Sequence, residues 1–343
     1  MSKSIILVTG GTGYIGSHTV VALQQAGFEA VIIDNLSNST AEVVDGIARI
    51  TGARPHFERV DCCDRHAVAA VFEKYPGITA VIHFAASKAV GESVEKPLLY
   101  YRNNLVSLLN VVEEMLAHAV LSIVFSSSCT VYGQPAALPV TEDAPVQPAL
   151  SPYGNTKQIC EEILRDTAAS CALQGVLLRY FNPVGAHPSA EIGEWPVGVP
   201  QNLVPFITQT AAGVRKELSV FGNDYHTPDG SCIRDYINVV DLARAHVQAV
   251  NYLLGGKNKT AMDVFNIGTG KGLSVLELVS AFQEATGVKI PYKITGRRAG
   301  DIEQVWANPG KAHAVLGWHA QESIEDTLRS AWKWEKKVRG IEQ

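Results

Sequence analysis

Long apolar runs are missing from this chain of 343 residues. None approaches the ~18 residues of a membrane-crossing helix, and the opening Ile5-Ile6-Leu7-Val8 is too short for the core of a signal peptide. An excess of basic charge is missing too, since 29 Lys and Arg stand against 34 Asp and Glu, for a net charge of -5 and a pI near 6.1. This balance argues against nucleic acid or an anionic membrane surface as a partner, although local arginine pairs can still hold phosphates. Cys62 and Cys63 are adjacent, the other cysteines are scattered, and no Cys-x-x-Cys or metal-ligand spacing occurs. The ten histidines show no zinc pattern, so no metal is expected, and His83 and His187 read as packed or hydrogen-bonded residues. These absences read as a cytoplasmic protein with free thiols. No repeat or low-complexity segment is visible.

What is there begins with enough apolar content, 46%, to bury a large core in one large domain or two coupled ones. The clearest unit occupies residues 1–40. A strand over 5–8 runs into Thr9-Gly10-Gly11-Thr12-Gly13-Tyr14-Ile15-Gly16, an amphipathic helix continues to Ala26 with Gly27 as its cap, and a second strand over 30–33 ends in Asp34. Missing side chains at Gly10, Gly13 and Gly16 permit a tight turn, close approach of a pyrophosphate and close helix-to-strand packing. The helix N-terminus then faces the phosphates. Asp34 falls where a carboxylate accepts hydrogen bonds from ribose hydroxyls and repels a 2′-phosphate, and no arginine stands between Asn35 and Ser39. NAD is favoured over NADP. A glycine turn used only for packing would leave Asp34 unexplained.

The alternation continues with a strand over 55–60 ending in Asp61, a helix over 67–74 and a strand over 80–84. This predicts an α/β fold with a doubly wound parallel Rossmann sheet. Ligands of such sheets lie outside the carboxyl ends of the strands, where Asp61-Cys62 and Phe84-Ala85-Ala86-Ser87-Lys88 fall. Each of these residues alone is compatible with a structural role. Pro97 opens a long helix to about Leu116, in which Asn103 and Asn104 are either polar contacts or satisfied core amides. Its apolar stripe can pair with the outer face of a later helix across a two-fold axis, as a homodimer.

A strand over 122–125 ends in Ser126-Ser127-Ser128-Cys129-Thr130, and the run Ser151-Pro152-Tyr153-Gly154-Asn155-Thr156-Lys157 opens the next helix. Residues four apart on a helix share a face, so the Tyr153 phenol and the Lys157 ammonium can point at one spot. A phenol ionises near pH ~10, and bringing it to neutrality takes roughly 4 kcal/mol. One cation at ~4 Å and an effective dielectric of ~20 supplies about that much. By itself Tyr-x-x-x-Lys more often marks a half-exposed helix face, and serines at a strand end are often turn formers. Together, Ser128, Tyr153 and Lys157 supply a hydroxyl, a phenol and a cation.

The glycine turn, Phe125-Ser126-Ser127-Ser128 and Tyr153-Gly154-Asn155-Thr156-Lys157 resemble the extended short-chain dehydrogenase/reductase superfamily. Within it, Lys88-Ala89-Val90-Gly91-Glu92-Ser93, Leu178-Arg179-Tyr180-Phe181-Asn182-Pro183-Val184-Gly185-Ala186-His187-Pro188 and Phe221-Gly222-Asn223-Asp224-Tyr225 resemble the UDP-glucose 4-epimerase family, nearly end to end. The resemblance implies an isomerase of galactose metabolism that exchanges UDP-glucose and UDP-galactose through a transient 4-keto sugar, with NAD kept bound. It casts ionised Tyr153 as the base, Ser128 as its proton relay, and Lys157 as the group that holds the nicotinamide ribose and lowers the phenol's pKa. NAD contacts carried over are Tyr14, Ile15, Asp34, Asn35, Asn38, Ser39, Asp61, Cys62, Phe84, Ala85, Lys88, Asn103 and Phe181, beside Gly10, Gly13, Gly16, Tyr153 and Lys157. Cys62 departs from the aliphatic residue usual there, which a backbone contact to adenine tolerates.

The same matching assigns UDP-sugar binding to Asn182, Asn202, Leu203, Phe221, Arg234, Tyr236, Arg298 and Asp301, with Lys88, Ser128 and Tyr153. Guanidinium forks suit a diphosphate. Residues 1–180 are read as the NAD domain and 181–343 as the sugar-nucleotide domain, some of which packs back on the first, as a strand over 264–267 suggests. Ser323-Ile324-Glu325-Asp326 resembles a capping box, and Trp332 and Trp334 read as core covers. Val305 stands where some epimerases carry a large Tyr, which points to a sugar pocket roomy enough for UDP-GlcNAc. A 4,6-dehydratase is disfavoured because Cys129-Thr130 offers no acid pair after Ser128; a decarboxylase stays open. A non-catalytic NAD sensor would have no need of Ser128, Tyr153 and Lys157 together.

Overall fold

Runs of Val, Ile and Leu that end in glycine or polar turns build the central sheet of the computed structural model, which describes residues 3–298 and 301–341. In chain order, β1 (Ile5–Thr9), α1 (Tyr14–Gln25), β2 (Glu29–Asp34), α2 (Glu42–Thr51), β3 (His56–Arg59), α3 (Arg65–Lys74) and β4 (Ile78–His83) alternate as expected. A short α4 (Val90–Glu95) and a long α5 (Pro97–Ala117) lead to β5 (Ser122–Ser128), α6 (Pro152–Ser170) and β6 (Gln174–Tyr180). The later chain adds β7 (Asn182–Val184), α7 (Leu203–Ala211), β8 (Leu218–Phe221), β9 (Ile233–Arg234), β10 (Tyr236–Asn238), α8 (Val239–Leu254) and β11 (Met262–Ile267). It closes with β12 (Leu273–Ser274), α9 (Val275–Thr286), β13 (Tyr292–Thr295), β14 (Gln304–Val305) and α10 (Ile324–Arg339).

The main sheet has seven parallel strands in the order β11-β6-β5-β4-β1-β2-β3. The order reverses between β1 and β4, so their carboxyl ends open the crevice that such sheets use for ligands. Side chains along each strand alternate between two cores. Ile6, Val8, Ile32, Ile82 and Val124 pack with Leu242 and Val250 of α8, whereas Leu7, Val31, Val81 and Ile123 pack with Val68 of α3, Leu108 of α5 and Leu164 of α6. A third core joins Val184, Ile207, Val220, Phe282 and Leu328 beyond the sheet. Trp332 packs against that core, and Trp334 donates its indole N–H to the Glu194 carbonyl at 2.9 Å. Among the described residues no helix is long and apolar enough to cross a membrane.

Two local expectations are corrected. The strand after Leu121 runs three residues further than the sequence suggests, so Ser128 is part of the strand and its direction is set by the sheet. The capping box expected at the start of α10 is only half formed: the Ser323 hydroxyl accepts from the Asp326 N–H at 3.0 Å, while the Asp326 carboxylate turns to that same hydroxyl. The full reciprocal box lies at α9, between Ser274 and Glu277.

Asp235 fixes the junction between β9 and β10 and is fully buried. Its carboxylate accepts from the Thr269 N–H at 2.9 Å, the Thr269 hydroxyl at 2.7 Å, and the Gly270 and Ala307 N–H groups at 3.1 Å. Exchange for asparagine sets an amide NH2 against backbone donors. Asp235→Asn is expected to lose about 2–4 kcal/mol in urea unfolding. An unchanged midpoint would show that these donors find other partners.

Candidate active site

Gly10 follows β1 with φ +67°, and a Cβ placed there would lie 2.9 Å from the Ala85 nitrogen. A Cβ on Gly16 would collide with the Gly10 carbonyl oxygen, and one on Gly13 would meet the same oxygen at 3.1 Å. The glycines are therefore fixed by the approach of one backbone segment to another. Gly13 caps α1 without a side-chain bond, and no acidic residue stands in the first turn, which leaves the positive helix end facing the crevice. Asp34, 7% exposed at the end of β2, accepts from the Thr12 N–H at 3.2 Å and the Leu36 N–H at 2.9 Å. The Ser39 hydroxyl contacts Asp34 at 3.4 Å and Thr12 at 2.6 Å. A glycine cradle, an uncapped helix start and a strand-end carboxylate fit a dinucleotide with an unphosphorylated ribose.

Beside this cradle, Asn35 donates to Asp61 at 3.2 Å, and the Cys62 carbonyl accepts from Asn110 at 2.9 Å. Burial pushes the Cys62 thiol far up, so it stays neutral. Asn38 is exposed. The Ala85 N–H donates to the Thr9 hydroxyl at 3.2 Å, which lies 3.0 Å from Nδ1 of buried His83, and the Phe84 ring sits 4.7 Å from that of His246. The two asparagines of α5 divide their roles. Asn104 is buried and satisfied, accepting from the Ser87 N–H at 2.8 Å and donating to the Ser87 carbonyl and the Thr156 hydroxyl at 3.0 Å. Asn103 is half-buried and reaches Ser87 Oγ at 3.2 Å. The loop after β4 is thereby tied to both α5 and α6.

Ser128 leaves β5 with its hydroxyl accepting from the Thr130 N–H at 3.2 Å. Helix α6 starts where Pro152 presets the backbone and the Ser151 hydroxyl accepts from the Gly154 N–H at 3.1 Å. One turn on, Lys157 is 4% exposed and donates to the Ser126 carbonyl at 2.6 Å. Its ammonium lies 4.9 Å from the Phe125 ring centroid and 5.9 Å from that of Tyr153. Burial pushes the Tyr153 phenol up to about 12, against a lowering hydrogen bond from Ser128. Burial also draws Lys157 down to about 8, opposed by Cys160 and Glu161.

The expectation that Lys157 lowers the phenol is thus not met by the protein's own groups. The ammonium is turned to Ser126, and desolvation, which disfavours both charged forms, dominates at each group.

Around the crevice, Lys88 lies 5.9 Å from the Tyr14 ring centroid and 3.4 Å from Glu194, and Tyr14 donates to the Gly185 carbonyl at 2.6 Å. Asn202 donates to the same Glu194 at 2.7 Å, and Leu203 opens α7 beside it. Glu194 therefore gathers Lys88 and Asn202 from the two sides. Asn182 is paired with Tyr236 across β7 and β10. Burial pushes the Cys129 thiol up to about 12, and the Arg234 charge opposes it. Arg298 pairs with Asp301 at 2.6 Å and lies 5.5 Å from the ring centroid of Phe221, itself 40% exposed. Phe181 and Val305 share a small core with Tyr132 and partly buried Cys129.

Reading by motif missed Glu194 and Asp235, which sit in loops and junctions with no local signal. It also passed over Glu161, although the spacing Tyr153, Lys157, Glu161 places all three on one face of α6.

Known proteins match nearly the whole chain. A family model described as GDP-mannose 4,6 dehydratase matches residues 7–331. A UDP-glucose 4-epimerase of Bacillus subtilis is 52% identical over 331 residues, covering 96% of each chain. Its counterpart in Mus musculus is 48% identical over 339 residues, covering 97% of this chain and 96% of its own. Among solved structures, the UDP-glucose-4-epimerase of Stenotrophomonas maltophila, with bound NAD and formylated UDP-arabinopyranose, is similar at a TM-score of 0.95 and 47% identity, covering 99% of this chain and 100% of its own. That of Bifidobacterium longum, in complex with NAD+ and UDP, gives 0.94 and 44%, covering 98% and 100%. Together with the cradle, the strand-end carboxylate and the hydroxyl, phenol and ammonium at the crevice, these matches establish that the chain belongs to the extended short-chain dehydrogenase/reductase superfamily and, within it, to the UDP-glucose 4-epimerase family.

Proposed function

We propose that this chain interconverts UDP-glucose and UDP-galactose with a resident NAD, oxidising and re-reducing carbon 4 of the sugar. The observation that carries the reading is the convergence of Ser128, Tyr153 and Lys157 at the carboxyl edge of the sheet, beside the cradle of Gly10, Gly13 and Gly16. Residues 1–180 hold NAD and 181–343 supply most of the UDP-sugar contacts. Asp34 would hold the adenosine ribose, and Lys157 the ribose next to the reacting ring. Bound there, NAD supplies reversible two-electron chemistry at carbon 4 together with a ring cation that favours the phenolate.

The protein's own groups manage the proton. Tyr153 Oη takes it from the 4-hydroxyl and returns it, and Ser128 Oγ bonds the same sugar oxygen. Arg234 and Arg298 would grip the diphosphate, with Asn182, Asn202, Leu203, Phe221, Tyr236 and Asp301 about the nucleotide. A firmly held nucleotide and a loosely held sugar let the 4-keto ring turn over and present its other face. A dehydratase is disfavoured despite the name of the family model, because Cys129 and Thr130 give no acid after Ser128.

The unpaired state of all six cysteines suits a cytoplasmic enzyme. We infer a homodimer through α5 and α6, supported by Leu98, Leu99 and Leu109 of α5, which are 79%, 49% and 42% exposed. Sedimentation of a single 36.9-kDa species at micromolar concentration would remove that inference.

Purified protein given UDP-galactose, with no cofactor added, should develop reduced-nicotinamide absorbance and release UDP-glucose. Release of a dehydrated ketone or a pentose, or no product, would overturn the assignment. Tyr153→Phe should lower kcat by roughly 10²–10⁴-fold while NAD stays bound. Unchanged turnover would remove the phenol from the chemistry. Val305, 2% exposed and smaller than tyrosine, predicts turnover of UDP-GlcNAc, and its absence in the same assay would show the pocket to be closed to an N-acetyl group.

A further inference from the structure

Ser127 and Arg179 stand side by side in β5 and β6, one register position from the Ser128 and Tyr180 pair. Both reach the carboxylate of Glu161, which projects from α6 one turn beyond Lys157 and two beyond Tyr153. The Ser127 hydroxyl donates at 2.6 Å. Arg179 binds in fork fashion, Nε to one oxygen at 2.8 Å and Nη2 to the other at 2.5 Å, and Arg165 adds a bond at 2.8 Å from the rim. Glu161 is 1% exposed and Arg179 2%. The far face of Arg179 rests 4.8 Å from the Tyr132 ring centroid, and the Tyr132 hydroxyl donates to Asn266 of β11 at 2.7 Å.

We propose that Glu161 is a positioning residue for this reaction: its carboxylate fastens the strand that delivers Ser128 to the helix that delivers Tyr153 and Lys157, and holds a negative charge one turn from the Lys157 ammonium. The inference rests on the reading of Ser128, Tyr153 and Lys157 given above.

Burial raises the Glu161 carboxyl, but the Arg179 bond and charge, with Ser127 and Arg165, outweigh it and leave the group below its ordinary value. The anion persists at neutral pH. Facing Lys157 are Tyr153, Cys160 and Glu161 of its own helix, His83 of β4, and the Ser126 carbonyl and Phe125 ring of β5. Burial keeps Tyr153, Cys160 and His83 uncharged, at about 12, about 11 and about 3. Glu161 is therefore the ionised side chain among these described neighbours, and its charge opposes the burial that draws Lys157 down.

The two contributions separate by mutation. Ser127→Ala removes a bond between strand and helix but leaves the carboxylate and its arginines. It should lower kcat roughly ten- to a hundredfold with KM little changed, because none of these groups belongs to the UDP-sugar set. The alkaline limb of its kcat profile should stay in place. Glu161→Gln should lower kcat as well and move that limb to lower pH, since an ammonium without its neighbouring anion releases its proton more readily. Unchanged kcat in Ser127→Ala overturns the positioning role whether or not Glu161→Gln folds. A folded Glu161→Gln with an unmoved limb overturns the electrostatic part. Tyr153→Phe, run alongside, isolates the underlying reading, for full activity there would refute the catalytic assignment rather than the role of Glu161.

Discussion

Desolvation beneath the carboxyl edge of the sheet governs this site. The same exclusion of water raises a phenol and lowers an ammonium a helical turn apart; at about 8 Lys157 stays mostly charged at neutral pH, whereas at about 12 Tyr153 does not ionise by itself. Moving a phenol from about 12 to neutrality takes roughly 7 kcal/mol. One positive charge at ~4 Å and an effective dielectric of ~20 supplies about 4 kcal/mol. A single cation falls short, and Lys157, already present where the phenol stands at about 12, does not supply the difference. The chain's own groups thus keep Tyr153 protonated at neutral pH.

Holding such groups out of water requires rigid supports, and each support here is a satisfied polar network. Asn104 ties the loop after β4 to α6, Asp235 gathers backbone donors beside Arg234 and Tyr236, and Glu161 locks α6 to β5 and β6. Breaking one partner of a buried network costs more than making it contributes, so these residues specify geometry more than they add stability. Glu194 differs in that its partners, Lys88 and Asn202, come from the two halves of the crevice. It joins the loop after β4 to the start of α7.

Sequence legibility followed locality. Gly10, Gly13 and Gly16 were readable because each is required by a turn a few residues long, and Asp34 because it closes the adjacent strand. Tyr153 and Lys157 share one helical turn. The alternation through β4 carried the Rossmann sheet, and the run over 264–267 pointed to β11, which pairs with β6 at the sheet edge. Glu194 and Asp235 carried no such signal, since their partners lie up to 106 positions away in the chain. Glu161 did have a spacing signal, but its meaning depends on Arg179 and Ser127 meeting it across strands. How the Lys157 ammonium stands to the Tyr153 phenol was not legible, for a related reason. Helical spacing places Lys157 beside the phenol, but only the folded chain shows the ammonium bonded to Ser126 and the depth of burial around both.

The most direct measurement is a pH titration of phenolate absorbance in the NAD-loaded protein, with Tyr153→Phe subtracted. The account predicts a Tyr153 transition near neutral pH, far below the value that the protein's own groups impose. A transition at or above the ~10 of a free phenol would contradict it.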